Sequence, residues 1–456
     1  MDKISLLQQR KQNLLNAGKK VRKDISELID EQSFVELSAF SFSKNDFYGE
    51  NAEGEGVVCG FATIEGFPFY IVAQNFEVLS GGVSKANCDK ISKCLDQAEK
   101  ASTPVIYLMS SLGVQVGEGV NVLEGLASLI LKASQLKGTV QQYLIVNGEV
   151  YGQLAVLSTL CDFTFFIDDK SVLAPNSPLV ISAKSGKNIP KFKVGGAEGL
   201  NRANLATFKV KNLSDIKNKI ASLSNLLSVR VNNCDNLNDT LSALDKKVDF
   251  KTLLSVFDKD SVIETGADFS SEVKCLFGRI GGISVAATVF DGDGVYLTSE
   301  NVRKVKDFAE FACCYSLPYL IFVNTCGIKT DIETNNSLVL KEIGDFISVL
   351  DCIDAAKISV IYKKAVGLGY TLFAAKNMGY DYTFAFANAK ISLFEDMQGA
   401  EIEFADEKLD KEKLAARYAE ENSDPINAAK NGYIDNIIQP AFVRQYLISA
   451  LQMLLK

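Results

Sequence analysis

Not one of the 456 residues is histidine, and this absence removes more chemistry than any other feature of the composition. A Ser-His-Asp triad, a Cys-His nucleophile pair and a histidine-based zinc site are all excluded within the chain. Any catalysis here has to rest on other groups. The ten cysteines include no Cys-x-x-Cys pair. Most sit in apolar runs such as Phe311-Ala312-Cys313-Cys314-Tyr315, so they read as reduced core residues rather than disulfides or ligands, and no metal is expected. A basic block is missing too. The formal charge of −8, from 48 basic and 56 acidic residues, is spread along the chain and gives no footprint for nucleic acid. No apolar stretch reaches the roughly 20 residues of a membrane helix. The opening Met1-Asp2-Lys3-Ile4-Ser5 leads into a charged amphipathic helix, so no signal peptide is expected and a cytoplasmic setting is.

What is present is an ordinary globular composition, 47% hydrophobic, long enough for two or three domains. An internal repeat of about 215 residues organises it. Asp30-Glu31-Gln32-Ser33-Phe34-Val35-Glu36 is answered by Asp258-Lys259-Asp260-Ser261-Val262-Ile263-Glu264, and Gly60 to Gly66 by Phe277 to Gly282. The strand Pro104-Val105-Ile106-Tyr107-Leu108, running on to Gly113, matches Pro318-Tyr319-Leu320-Ile321-Phe322, running on to Gly327. Tyr143 to Val146 leads into Gly152 as Ile358 to Ile361 leads into Gly367, and Asp162 to Phe166 corresponds to Asp381 to Ala385. Between these strands lie segments with apolar i, i+3, i+4 spacing, Cys88 to Ala101 and Val302 to Ser316. The pattern predicts an α/β protein of two tandem halves, residues 1–230 and 231–456, each a mostly parallel sheet covered by helices. The polar stretch Lys184 to Asp249 between them should be structured, with a helix over Leu213 to Leu227.

A strand that stops at a glycine and leads into a helix N-terminus leaves backbone N–H groups aimed at open space, where an anion or a developing oxyanion is favoured. Each half offers two such places. They are Leu112-Gly113-Val114 and Gly152-Gln153 in the first, Cys326-Gly327-Ile328 and Leu368-Gly369 in the second. Taken singly, each glycine could serve only to relieve crowding in a turn. Their duplication favours a site.

Several further stretches carry a family likeness: Gly18-Lys19-Lys20-Val21-Arg22, Asp30 to Leu37, Ser80-Gly81-Gly82-Val83-Ser84-Lys85, Glu118-Gly119 and Asp293-Gly294-Val295. The closing Asn431-Gly432-Tyr433-Ile434-Asp435-Asn436-Ile437-Ile438-Gln439-Pro440, followed by Arg444, belongs with them. Over nearly its whole length the chain resembles the carboxyltransferase family, the β subunits of acetyl- and propionyl-CoA carboxylases and the α subunits of acyl-CoA decarboxylases. The resemblance implies two crotonase-like (ClpP/crotonase) domains, with a coenzyme A thioester bound to the first half and biotin, on a separate carrier protein, to the second. It implies transfer of carboxylate between carboxybiotin and a short acyl-CoA, acetyl or propionyl, without a metal. The backbone amides of Gly152 and Gln153 would hold the thioester oxygen, and those of Leu368 and Gly369 the ureido oxygen of biotin. Gly81, Gly82, Lys90, Leu112, Gly113 and Val114 would lie along the acyl-CoA. Cys326, Gly327, Ile328, Tyr370 and Thr371 would form the biotin and acyl pocket.

The implied partners are a biotin carboxyl carrier protein, a biotin carboxylase or a membrane decarboxylase subunit, and further copies of the chain as a dimer or trimer of dimers. This sequence departs from the family at Ser110-Ser111-Leu112-Gly113-Val114-Gln115, where the family has Asp-Ser-Gly-Gly-Ala-Arg. It departs again at Gln153 (family Gly) and at Leu368-Gly369 (family Gly-Ala). These departures leave open a catalytically silent paralogue that serves as a scaffold or regulatory subunit. Another crotonase-type reaction, hydration or thioester hydrolysis, would need a carboxylate such as Glu118 or Glu149.

Overall fold

Each half is anchored by a two-residue hairpin whose turn is held by one aspartate. Strands β1 (Val35–Leu37), β2 (Val57–Ile64) and β3 (Phe67–Gln74) run antiparallel, with Ile64 paired to Phe67 around Glu65 (φ 49) and Gly66 (φ 82). Two consecutive positive φ values are what a tight hairpin needs to follow the strand twist. Asp30 holds the turn by accepting from the N–H groups of Glu65 and Gly66, both at 2.9 Å, and from the Thr63 hydroxyl at 2.7 Å.

The computed structural model describes residues 2–41, 53–201, 204–228, 237–407 and 410–455. The chain divides into two compact units, Met1–Asn225 and Leu226–Lys456. The boundary expected between residues 230 and 231 lies outside the described residues. In the first unit the sheet continues in parallel from β3 through β4 (Val105–Ser111), β5 (Gln142–Tyr151) and β6 (Phe163–Ile167) to β8 (Phe208–Val210), while β7 (Val172–Ala174) pairs with the far end of β5. The second unit repeats this plan. It places β9 (Ile263–Thr265), β10 (Val273–Ile280) and β11 (Ile283–Phe290) antiparallel, then β13 (Tyr319–Ile328), β14 (Lys357–Val366), β15 (Tyr382–Phe386) and β17 (Asn436–Ile438) parallel. Short strands β12 (Val295–Leu297) and β16 (Lys390–Ser392) pair with the ends of β13 and β14. These are the two tandem, mostly parallel α/β halves that the repeat predicts.

Helices α1 (Lys85–Lys100) and α4 (Ser299–Cys314) begin three residues before the predicted starts, because the Ser84 and Thr298 hydroxyls accept from the N–H groups of Asn87 and Asn301 and cap them. Together with α2 (Val120–Leu136), α1 buries Cys88, Ile91, Cys94, Leu95, Leu126 and Leu129 against Val72, Tyr107 and Leu144 of the first sheet. The other face of that sheet carries an aromatic ladder, Phe69 to Tyr143 to Phe163 to Phe208, with ring centroids 5.9, 5.3 and 6.1 Å apart. Such fully buried aromatic and leucine side chains contribute about 1.5–3 kcal/mol each. Among its described residues the polar stretch after Lys184 is structured as expected: β8 joins the sheet and α3 (Leu213–Ser228) follows it. The cysteine expectation needs correction at four of the described residues, among them Cys161, which is only partly buried. Cys313 and Cys314 are only partly buried and Cys352 is exposed, because they lie at the ends of α4 and of α5 (Val339–Cys352), where the buried stripe gives out.

Candidate functional site

The repeat brings two strand ends together in each half at the same register. In the first, Ser111 of β4 is the last partner of Val150 on β5; in the second, Thr325 of β13 partners Ala365 of β14. Each ladder has just skipped a register, between Met109 and Ser111 and between Val323 and Thr325. Three residues beyond each pair stand Val114 and Gln153 in the first half, Ile328 and Leu368 in the second.

At both places the outgoing strand breaks on a glycine of positive φ. Gly152 (φ 75) opens a short 3-10 turn, and Gly367 (φ 51, ψ −122) precedes the helix α6 (Leu368–Phe373). A Cβ at Gly367 would also approach the Leu393 carbonyl at 3.0 Å. Leu112, Gln153 and Leu368 lie outside the left-handed region, so their backbones do not require glycine. Leu368 and Gly369 are the first two residues of α6, positions whose N–H groups find no acceptor inside the helix. A Cβ on Gly369 would come within 2.3 Å of the Thr325 methyl, so glycine there allows α6 to lie directly on β13.

The first-half turn is sewn to the segment before α1. Leu112 N–H donates to Ser80 O (3.2 Å), Val83 N–H to Gly113 O (2.9 Å) and Gln115 N–H to Val83 O (2.8 Å). Gly113 N–H is taken by the Ser111 hydroxyl at 3.1 Å, and Gly327 N–H by Thr325 Oγ1 at 3.1 Å. In a parallel bridge the residue flanked by both bonds turns its own N–H the other way. Of the three residues 112–114, this leaves Val114 as the one whose N–H faces away from the seam. Gly81 (φ 68) makes the seam possible, since a Cβ there would lie 2.1 Å from the Ser110 carbonyl; a Cβ on Gly82 would meet the Gln115 side chain.

Lys90 is 3% exposed, and its ammonium donates to the carbonyls of Gly54 (2.9 Å) and Val57 (2.6 Å). The structure therefore engages it with main chain, on neither a solvated face nor an open ligand surface. Lys304 does the same for Phe269 and Ser270 in the second half. Burial lowers the pKa of both ammonium groups.

Beside the second turn lies a cavity of about 510 Å³, walled by Gly367, Tyr370, Thr371, Leu393, Ile402 and Tyr433 among others. Sequence reading found Tyr370 and Thr371. It did not bring Leu393, Ile402 and Tyr433 to this cavity: Leu393 follows β16, Ile402 lies on α7 (Asp396–Glu403), and Tyr433 comes from the closing motif beyond α8 (Lys411–Asn422). No local motif marks Leu393 or Ile402, and the closing motif that contains Tyr433 does not tell that its ring faces this cavity.

The carboxyl transferase domain family matches residues 15–456. The chain is 27% identical over 461 residues to a propionyl-CoA carboxylase beta chain of Cereibacter sphaeroides, covering 94% of this chain and 89% of that one. It is 25% identical over 458 residues to the methylmalonyl-CoA decarboxylase subunit alpha of Veillonella parvula, covering 95% and 89%. The solved structure of transcarboxylase 12S, a hexamer with methylmalonyl-CoA bound, superposes with a TM-score of 0.90 at 22% identity over 99% of this chain and 95% of that one.

The chain belongs to the carboxyl transferase family. Relatives of this carboxyltransferase are enzymes that carry the names of subunits, a beta chain and a subunit alpha. The two candidate carboxylates, either of which could serve another crotonase-type reaction, are engaged within the first half. Glu118 accepts from the Lys85 N–H at 2.7 Å, and Glu149 pairs with Lys191 at 2.9 Å and accepts from the Tyr151 hydroxyl. Among the described residues no group of three or more His, Cys, Asp or Glu could hold a metal ion, and no helix is long and apolar enough to cross a membrane.

Proposed function

We propose that this carboxyltransferase moves carboxylate between carboxybiotin on a separate carrier protein and a short acyl-CoA, acetyl or propionyl, as a component of a carboxylase or, in reverse, of a decarboxylase. The observation that supports it is the duplicated strand-end geometry, which gives each half backbone N–H donors on two neighbouring strands at one register. In the first half, the amides at Gly152 and Gln153, with Val114 opposite, would hold the thioester oxygen as negative charge develops on it. In the second, the amides of Leu368 and Gly369, with Ile328 opposite, would hold the ureido oxygen. Fixed dipoles of this kind act without a titrating side chain, and one such donor is worth about 10²–10³ in rate.

The fit to biotin rests on the second turn. Its free helix N-terminus adjoins a mostly apolar cavity with room for a bicyclic ring. Bound there, biotin supplies the carboxyl group and an N1 atom that can take up the α-proton. Thr371, on the cavity wall, is a position at which acyl length would be felt, at about 1–3 kcal/mol per methylene.

The same reading assigns the carrier protein, together with a biotin carboxylase or a membrane decarboxylase subunit, as partners, and further copies of the chain as neighbours. Apolar side chains left in solvent support self-association: Val116, Val120, Leu123 and Leu131 on and before α2, and Leu338, Leu340 and Ile347 on and before its repeat, α5. The test is calorimetric binding of acetyl-CoA and propionyl-CoA to the purified protein, followed by decarboxylation of malonyl- and methylmalonyl-CoA with free biotin. Binding with turnover is expected. A folded, oligomeric protein that does neither would be the silent scaffold.

A further inference from the structure

Just behind the second turn, four elements converge on one sulfur. Cys326 on β13 is 7% exposed. Lys364 on β14 places its Nζ 3.8 Å from the Cys326 Sγ and 4.0 Å from Glu395 Oε1. Tyr296 on β12 donates its hydroxyl to Glu395 Oε2 at 2.6 Å. Both contacts of the Lys364 ammonium are long, so neither its carboxylate nor the sulfur holds it tightly.

Gly294 adjoins the pair, and a Cβ there would lie 2.5 Å from the Cys326 Sγ and 3.3 Å from Lys364 Cδ. Bare backbone on that side leaves the sulfur and nitrogen face to face. The first half has no counterpart, since the repeat register puts Leu112 and Glu149 at the matching positions. The cluster is therefore not something the fold demands at this place; the resemblance puts Cys326 beside the biotin pocket, but no proton or charge of the proposed carboxyl transfer passes through the pair.

We propose that Cys326 and Lys364 are a modification site, a pair that dioxygen converts into a covalent nitrogen–oxygen–sulfur bridge between β13 and β14. The balance is an ammonium, a thiol and one O₂ giving N–O–S, one water and one proton. The S–H and N–H bonds break, N–O and O–S bonds form, two electrons leave sulfur and two leave nitrogen, and one oxygen atom goes to water. Burial pushes the Cys326 thiol up to about 11, so the thiol reaches neutral pH protonated and needs a base beside it. Glu395, in contact with both donors, is that base. An inserted oxygen spans more of the 3.8 Å gap than a direct N–S bond would, and so asks for less movement of two buried strands. The bridge would tie the residues just before Gly327 and Gly367, fixing both arms of the second turn, and thiol reductants would reverse it.

The experiment exposes the full-length protein to air-saturated buffer, digests it without reductant and reads the peptides by mass spectrometry. The expected product joins the Cys326 and Lys364 peptides at about 14 Da above their sum, one oxygen added and two hydrogens lost. Dithiothreitol should release both peptides unmodified, and Lys364→Arg, which keeps a cation beside Glu395, should give no joined peptide. Absence of the joined peptide from oxidised wild-type protein would overturn the proposal. Oxidation confined to Cys326 and identical in wild type and Lys364→Arg would overturn it equally. The readout does not depend on carboxyl transfer, so failure here and failure of the functional reading are separate results.

Discussion

Arg444 Nη2 lies 2.6 Å from Oδ1 of Asp258, with the arginine 2% exposed, and its Nη1 donates to the Val256 carbonyl at 2.6 Å. Asp258 also accepts from the N–H groups of Gly281 and Gly282, at 2.9 and 2.7 Å, so a single carboxylate ties the C-terminal helix Val443–Leu454 to the hairpin of the second sheet. The matching Asp30 of the first half faces Lys217 at 3.6 Å, with both side chains partly in solvent. Arg444→Met should therefore cost about 3–5 kcal/mol, because it strips a buried carboxylate of its bonded counter-ion. Lys217→Met should cost under about 1 kcal/mol of ion-pair energy. Urea midpoints of the two variants check this, and equal losses would count against the buried pair.

Glu55 is 5% exposed, and its pKa is raised to about 7, chiefly by burial, against the attraction of Lys90. The sign follows from the direction of that shift. Between about 4.5 and about 7 the folded carboxyl holds a proton that the unfolded one has lost, so stability falls as pH rises through this window. Glu55→Gln should raise the melting temperature at pH 8 and leave it nearly unchanged at pH 4. Thermal melts across that range decide it, and a variant equally stabilised at both ends would contradict the buried-charge account.

Gly367 and Leu368 should respond in opposite ways to alanine. Gly367 holds a backbone conformation that costs a side-chain-bearing residue about 1–3 kcal/mol, so Gly367→Ala should rotate the first N–H groups of α6 and lower carboxyl transfer by about 10²-fold. Leu368→Ala keeps the amide and should stay within about threefold. Steady-state decarboxylation of methylmalonyl-CoA with free biotin compares them. Equal, small effects would remove the backbone donors from the mechanism.

Thr325 and Ser111 share one duty, accepting the N–H two residues on. Thr325→Val keeps the shape but leaves the Gly327 N–H without its acceptor, at a cost of about 1–3 kcal/mol where the group is buried. Chemical denaturation should show that loss, and hydrogen exchange should show faster exchange at Gly327. Unchanged protection there would mean that the hydroxyl is not what holds the turn.

Much of this was legible because it is periodic or local. The repeat, with its matched landmarks Asp30 and Asp258, and the strand cores can be read from spacing, whereas the duty of those aspartates at hairpins 23 to 36 residues further on shows only in the fold. Helix starts were misread by one turn because Ser84 and Thr298 cap segments whose apolar stripe begins only later. Lys90 could not be read at all. A lysine on an amphipathic helix is usually solvated, and only the carbonyls of Gly54 and Val57, folded over its end, explain why this one is buried.

The sequence by itself determined the two α/β halves, because hydrophobic periodicity and glycine placement are written residue by residue along the chain, and its motifs carried the resemblance to the family. It could not say which glycines take positive φ, that Gly113 and Gly327 have their N–H groups engaged by hydroxyls, or that Leu393, Ile402 and Tyr433 close a cavity beside Gly367. Those depend on segments far apart in the chain meeting across a sheet. Direction in space, unlike residue type, is fixed only when the strands are paired.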